Sequence, residues 1–415
     1  MEEIVVDVGR VASLSIRALE PMLRGDEMAF VMKFRDGYDP NLLWSAFESV
    51  LRRNLALQVA LEPVGKSFVW MQIGLGDLDA ALDRQRQRFT QFVSLEDLLS
   101  PAHAMTPDLP VRISQMGDKD VCFQISHALT NGRGALQWID HWLAAANGDC
   151  VAPAPIAGQI ACRAPRVGLA LLPPYLLRYL AQAGLGHARK TVDLTHGKTP
   201  VPHDKGYASR MYSFSELETS RIIAGARFLE MSVHQYVCLA VAEAMLSAQP
   251  EKSRVSIAIP TDLARYSLDS PRTVPGNYTG GLAVQLRRGA PLQPQIARQF
   301  GWFRYGVDYW LPWILGAMSS NEQKLLKQLA RSATVPVTRR GPFRNVSCAV
   351  SNIGDIKLPA ICERIESGTG TTKTQTVFFT IGRLNGRFLA NVAFARDLYD
   401  AEEVFRVADS AMGRL

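Results

Sequence analysis

The stretch Val121-Cys-Phe-Gln-Ile-Ser-His127-Ala-Leu-Thr-Asn131-Gly132-Arg-Gly134 ends an alternating strand on a histidine and turns directly into a helix. Val121, Phe123, Ile125 and His127 follow the two-residue period of a strand, so the imidazole shares a face with three apolar side chains. Thr130, Asn131, Gly132 and Gly134 then read as a turn and helix start. Ala135, Trp138, Ile139, Trp142 and Ala146 fall on one side of the helix that follows. A histidine just before a helix N-terminus lies in a positive potential, which disfavours imidazolium and keeps a neutral base near pH 7. That setting suits a general base. It also suits a core histidine with one hydrogen bond, and position alone leaves both readings open.

Other chemistries leave no comparable mark. There is no G-x-S-x-G elbow for a covalent serine mechanism, no P-loop and no dinucleotide fingerprint after a strand. His187, His196 and His203, with Asp193 and Asp204, have no metal-ligand spacing, so no metal is expected. The six cysteines show no C-x-x-C, and Cys122, Cys238 and Cys348 lie within apolar patterns, as in a reduced cytoplasmic protein.

The elements that must hold His127 are those of a large globular chain. With 415 residues, 47% hydrophobic and 20% charged, it can bury two substantial cores. The +7 net charge fits a partner bearing phosphate or carboxylate, such as coenzyme A, an acidic carrier protein or an anionic membrane surface. No dense Lys/Arg run or nucleic-acid module accompanies it, so nucleic acid is not expected. The acidic N-terminus lacks a signal peptide's basic and apolar blocks, and no apolar run reaches spanning length.

Met28 to Phe34 reads as a strand, and Asp39-Pro40 as a cap and first turn of a helix burying Leu43, Phe47, Val50 and Leu51. Phe68 to Ile73 is a second strand, and Ser94 to Leu99 a short helix or turn. Leu109 to Met116 and Lys119 to His127 pair around Gly117-Asp118. A Pro/Ala/Arg-rich connection follows, holding Leu169 to Leu185 with its Pro173-Pro174 break. This segment reads as an interdomain helix with a solvated face, or as a basic amphipathic surface for lipid or a carrier protein. A second half restarts at Ala208 to Phe214. Helices capped by Ser215 and Ser232 follow, then strands Val255 to Ile259 and Leu282 to Leu286. Residues 292 to 333 are helical in character, with Trp302, Phe303, Tyr305, Tyr309, Trp310 and Trp313 as either core or channel lining. Asn345 to Val350 is a strand, Val377 to Asn385 and Arg387 to Phe394 a hairpin about Asn385-Gly386, and Asp400 caps a last helix.

Ser126-His127-Ala-Leu-Thr-Asn131-Gly132 resembles the His-His-x-x-x-Asp-Gly signature of the CoA-dependent acyltransferase superfamily. That group includes chloramphenicol acetyltransferase, condensation domains, polyketide-associated acyltransferases, BAHD enzymes and alcohol acetyltransferases. The alignment puts His127 on the catalytic histidine, with Ser126 in place of the first histidine. Asn131 replaces the aspartate, whose role in the family is to hold the loop by pairing with an arginine. Arg52-Arg53-Asn54-Leu-Ala-Leu, Ile259-Pro-Thr-Asp262-Leu-Ala-Arg265, Gly276-Asn277-Tyr278-Thr279-Gly280 and Ser351-Asn352-Ile353-Gly354 are similar to further family segments in the same order.

The resemblance implies an α/β (α+β two-layer) fold of two chloramphenicol-acetyltransferase-like halves, a pseudo-dimer with a tunnel at the interface. The halves would be residues 1–150 and 208–415, joined by a linker at 151–207. It implies acyl transfer from acyl-CoA or an acyl-carrier protein to a hydroxyl or amine acceptor, in secondary metabolism, by a cytoplasmic monomer. CoA or phosphopantetheine would be a co-substrate, and no cofactor would be bound permanently. His127 would be the base, and Asn131 and Gly132 would shape the loop. Asn277, Tyr278, Thr279, Ser351 and Asn352 would touch the oxyanion or pantetheine, and Arg265 would be the arginine nearest Asn131. The alternatives are a carrier-dependent, amide-forming condensation enzyme and a non-catalytic binding relative.

Overall fold

The computed structural model describes residues 27–36, 38–64, 67–90, 109–154, 164–183, 190–195, 207–266, 276–311, 346–359, 361–369, 376–396 and 398–415. Two mixed α/β halves are built around two main sheets and two hydrophobic cores. Ser94–Leu99, His187, His196, His203 and Trp313 lie outside the described residues.

In the first half, β1 (Glu27–Phe34), β4 (Val111–Gln115) and β5 (Asp120–Ser126) pair antiparallel, with β1 next to β5 and β5 next to β4. Helices α1 (Pro40–Arg53) and α3 (Gly132–Ala146) pack together on one face, burying Phe47, Trp142 and Phe123 in one cluster. As the pattern predicts, Asp39 caps α1 by accepting from Asn41 N at 2.9 Å with Pro40 at the first turn. A small hairpin, β2 (Val59–Val64) and β3 (Ser67–Gln72), and helix α2 (Leu75–Phe89) complete this half. Helix α2 left little trace in the sequence, because its stripe is narrow (Leu78, Ala81, Leu82, Phe89) and its cap is Gly74 without a side-chain bond.

The connection holds α4 (Arg166–Ala183), an 18-residue helix that runs through Pro173 and Pro174 where the sequence suggested an interruption. Its Leu172, Tyr175 and Tyr179 join the second core. In that half β6 (Tyr207–Ser213), β7 (Arg254–Asp262), β8 (Thr279–Arg287), β9 (Cys348–Ile356), β11 (Val377–Leu384) and β12 (Arg387–Ala395) form one sheet, ordered β6-β12-β11-β9-β7-β8. Helices α5 (Glu216–Phe228) and α6 (Val233–Ala248) start on the expected capping boxes at Ser215 and Ser232. Helix α7 (Leu292–Arg304) packs on β8, and α8 (Ala401–Met412) packs on α6. The β11–β12 turn carries Asn385 and Gly386 at φ 48° and 87°, the left-handed pair a two-residue hairpin demands.

Three departures from the sequence pattern matter for the site. Strand β7 runs past Pro260 to Asp262, which is tolerated because β9 pairs with β7 only at Ile257 and Ala258, leaving no bond for Pro260 to break on that side. The helical run after 292 breaks at Tyr305 and Gly306, where Gly306 turns the chain at φ 81°, and resumes over residues 307–311, with 312–333 outside the described residues. Strand β10 (Cys362–Thr369), too polar to stand out in sequence, leaves the second half and pairs antiparallel with β1. The chain between β9 and β10 thus crosses from one half to the other, and Ile353 and Ile356 of β9 are already in the first core.

Candidate active site

Strand β5 ends at Ser126, and His127 opens the turn that follows. Leu129 N and Thr130 N both donate to Ser126 O, at 3.1 and 3.3 Å, folding the turn back on the strand. Val121 to Ile125 are buried on both faces of β5. Phe123 and Ile125 enter the first core, while Cys122 joins the second. His127 therefore stands at the seam between the halves.

The second half holds this turn through Gly276–Thr279. Asn277 Nδ2 donates to His127 O at 2.8 Å and to Ala128 O at 3.4 Å. Its Oδ1 accepts from Thr279 Oγ1 at 2.7 Å and Thr279 N at 3.3 Å, which fixes the orientation of the amide. Asn131 N and Thr130 Oγ1 donate to Gly276 O at 3.2 and 3.3 Å. Gly134 makes this approach possible, since a Cβ there would lie 2.9 Å from both N and O of Gly276. We expect Gly134→Ala to destabilise the protein by about 1–3 kcal/mol, against the usual helix preference for alanine, read as a lowered thermal midpoint.

Asn131 is the N-cap of α3 and uses both ends of its amide. Oδ1 accepts from Gly134 N at 2.9 Å, and Nδ2 donates across the seam to Asp262 Oδ1 at 3.2 Å. Asp262 also accepts from Ala264 N at 3.0 Å and pairs with half-exposed Arg133 at 3.4 Å. Arg265 does not meet the Asn131 loop as expected. Its guanidinium donates to both oxygens of fully buried Asp308 at 2.7 Å and to Tyr266 Oη, while Thr261 Oγ1 donates to Asp308 Oδ2 at 2.7 Å. The clamp is thus reversed in polarity from the resemblance: the second half supplies a carboxylate, and the first half supplies an amide and a guanidinium.

The His127 imidazole is partly accessible, but its Nδ1 is buried without a hydrogen-bond partner. Burial pushes its pKa below the usual 6.5, and hydrogen bonding with backbone groups of His127 and Thr130 opposes it. Burial thus favours the neutral ring at pH 7. Strand β9 closes the other side. A Cβ on Gly132 would sit 3.4 Å from Ile353 Cγ2, and Arg133 Nη2 lies 3.1 Å from where a Gly354 Cβ would be. Ser351 is half-buried with no bond to its hydroxyl among the described residues. Asn352 Oδ1 accepts from Gly354 N at 2.8 Å and so shapes its own turn.

Of the residues singled out in sequence, His127, Asn131, Gly132, Asn277 and Thr279 come together directly, while β9 meets Gly132 through Ile353, the neighbour of Asn352. Tyr278 is buried, and its carbonyl accepts from Leu263 N at 2.6 Å. Sequence reasoning missed Asp262 as the partner of Asn131; its place at the end of β7, opposite Thr279, was the available sign. It also missed a buried polar cluster three residues upstream of His127. There Arg112 donates to Gln124 Oε1 at 2.8 Å and to Glu27 at 3.2 Å, and Gln124 donates to Glu27 at 3.2 Å. Burial lowers the Arg112 pKa, with Glu27 opposing.

Among the described residues no group of three or more His, Cys, Asp or Glu is placed to hold a metal ion, and no helix is long and apolar enough to cross a membrane.

No protein-family model matches the chain, and no curated protein matches it. Solved structures do. Trichothecene 15-O-acetyltransferase from Fusarium sporotrichioides superposes with a TM-score of 0.68 at 9% identity, over 97% of this chain and 93% of that one. Polyketide synthase associated protein 5 from Mycobacterium tuberculosis gives 0.62 at 11% identity over 96% of each chain. The condensation domain of the monacolin K polyketide synthase gives 0.59 at 12% identity, again over 96% of each. The fold of this protein is therefore the one shared by these condensation-domain and acetyltransferase structures, two α/β halves meeting at the turn that carries His127.

Proposed function

We propose that the protein transfers an acyl group from a CoA or phosphopantetheine thioester to a hydroxyl or amine acceptor, with His127 as general base. The observation that carries this reading is a histidine kept neutral by burial, on a turn pinned across the seam by Asn277, Gly276 and Asp262. A base of that kind needs a fixed position more than a strong partner.

His127 Nε2 removes the proton as the acceptor oxygen or nitrogen attacks the thioester carbonyl. The tetrahedral oxyanion collapses, the C–S bond breaks, and the imidazolium returns the proton to the leaving thiolate. Asn277 has both ends of its amide committed to the turn and to Thr279, so it positions the histidine rather than binding the oxyanion. Ser351, two residues before the Ile353 that meets Gly132 and with no bond to its hydroxyl among the described residues, is the better oxyanion donor. Both substrates reach His127 along the seam, and the half-exposed Arg133 at its edge suits a phosphate-bearing donor.

The test offers a panel of acyl-CoAs and acyl-pantetheinylated carrier proteins with mixed hydroxyl and amine acceptors, reading acylated product by mass. Product from either donor class supports the proposal and names the donor. If neither donor yields product while one binds tightly, the protein is a binding relative of the fold.

A further inference from the structure

Helix α4, helix α7 and the end of β8 gather positive charge. Gly168 of α4 abuts the backbone of Gly306, Tyr175 stacks edge-on against Trp302 at 5.6 Å, and Tyr175 Oη accepts from Ala283 N at 3.2 Å. This register runs α4 antiparallel to α7 and parallel to β8. One turn beyond Tyr175 it brings Arg178 beside Arg298, and four residues beyond Ala283 it brings in Arg287. Gln299 and Gln295 of α7 bond the backbone of Gln285 and Arg287, which holds Arg298 against that strand end. Arg254 lies directly across the ladder from Arg287. Burial and the like charges of Arg298 and Arg287 depress the Arg178 pKa. Arg178, Arg287 and Arg298 make no ion pair among the described residues, and α4, α7 and β8 contain no aspartate or glutamate.

The solvent side of α4, which has Arg178 at its edge, is apolar where a solvated helix would be polar. On α4, Leu169, Pro173 and Leu177 are exposed at four-residue spacing, with Leu169 and Leu177 at 51% and 69%. Val167 and Tyr305 extend the patch at 57% and 47% exposure, around the contact of Gly168 with Gly306. Exposed aliphatic side chains flanked by cations, with no anionic side chain to meet a protein partner's cations, match the headgroup boundary of an anionic bilayer.

We propose that this face docks the protein on a membrane surface rich in anionic lipid, with Leu169, Leu177 and Val167 entering the acyl boundary and Arg178, Arg287 and Arg298 binding headgroup phosphates. The proposal is independent of the acyl-transfer reading, since none of these residues touches the His127 turn. The full chain is sedimented with phosphatidylcholine vesicles, with and without about a third phosphatidylserine. Wild type should sediment with the anionic vesicles only, and less so as salt rises. The triple variant Arg178→Gln/Arg287→Gln/Arg298→Gln should lose roughly a hundredfold in partitioning, at about fivefold for each cation near the surface. The matching triple Arg→Lys variant should keep its binding, and Leu169→Asp/Leu177→Asp should lose it with the arginines intact. Thioester turnover with soluble substrates should stay unchanged in every variant. Failure of wild type to bind anionic vesicles, equal binding to both vesicle types, or full binding by the triple glutamine variant would overturn the proposal. Binding to an acidic protein in place of the vesicles would overturn it too.

Discussion

Replacing His127 with alanine is expected to lower turnover roughly a hundredfold to ten-thousandfold, the usual worth of general-base help, while the protein stays folded. The turn does not depend on the ring. Asn277 binds the His127 carbonyl, which alanine keeps, and the ring's own polar interactions are with backbone groups of His127 and Thr130 inside the same turn. Steady-state rates with a thermal melt alongside separate the two effects. Loss of activity with a normal melt is the expected pair of results; an unfolded variant, or one with full activity, would remove His127 from the mechanism.

Restoring the aspartate of the family signature should harm this protein. Asn131→Asp sets a second carboxylate against Asp262, in place of an amide that donates to it at 3.2 Å. The new side chain can still cap Gly134 N, so the helix start survives and the seam contact is what fails. A turn displaced by this repulsion should cost about tenfold to a hundredfold in kcat. Arg133, paired with Asp262, is the cation on this cluster, and Arg265 and Asp308 are engaged with each other nearby. The exchanged pair Asn131→Asp/Asp262→Asn restores one amide and one carboxylate across the seam and should recover most of the activity. A double-mutant cycle then reads the coupling directly. Additive losses in the cycle would show that residues 131 and 262 act separately.

Local signals in the sequence were strong wherever they arose within a few residues. The Ser215 and Ser232 capping boxes, Asp39-Pro40, Asp400 and the Asn385-Gly386 turn each do what their chemistry dictates. The alternation up to His127 also held, but it understated burial. The period of two does not say what meets the intervening Cys122 and Gln124: Cys122 joins the second core and Gln124 a buried polar cluster with Arg112 and Glu27, long-range facts that such reasoning does not contain. The same limit hid β10, whose polar residues make sense only as a strand lent to β1. At the site, residue types pointed to His127, Asn131 and Asn277 because their neighbours in sequence fix their local geometry. The partners that orient them across the seam are 131 to 150 residues away, so the exchange of Arg265 for Asp262 became visible only once β7 was placed.

The central claim is that His127 acts as a base already neutral at physiological pH, and a pH profile of kcat/KM for thioester consumption tests it most directly. Burial holds the His127 pKa below 6.5, so the rate should stay level through neutrality and fall on the acid side of 6.5, with that limb absent from the residual activity of His127→Ala. A limb centred at or above 6.5, or the same limb in the alanine variant, would contradict the account.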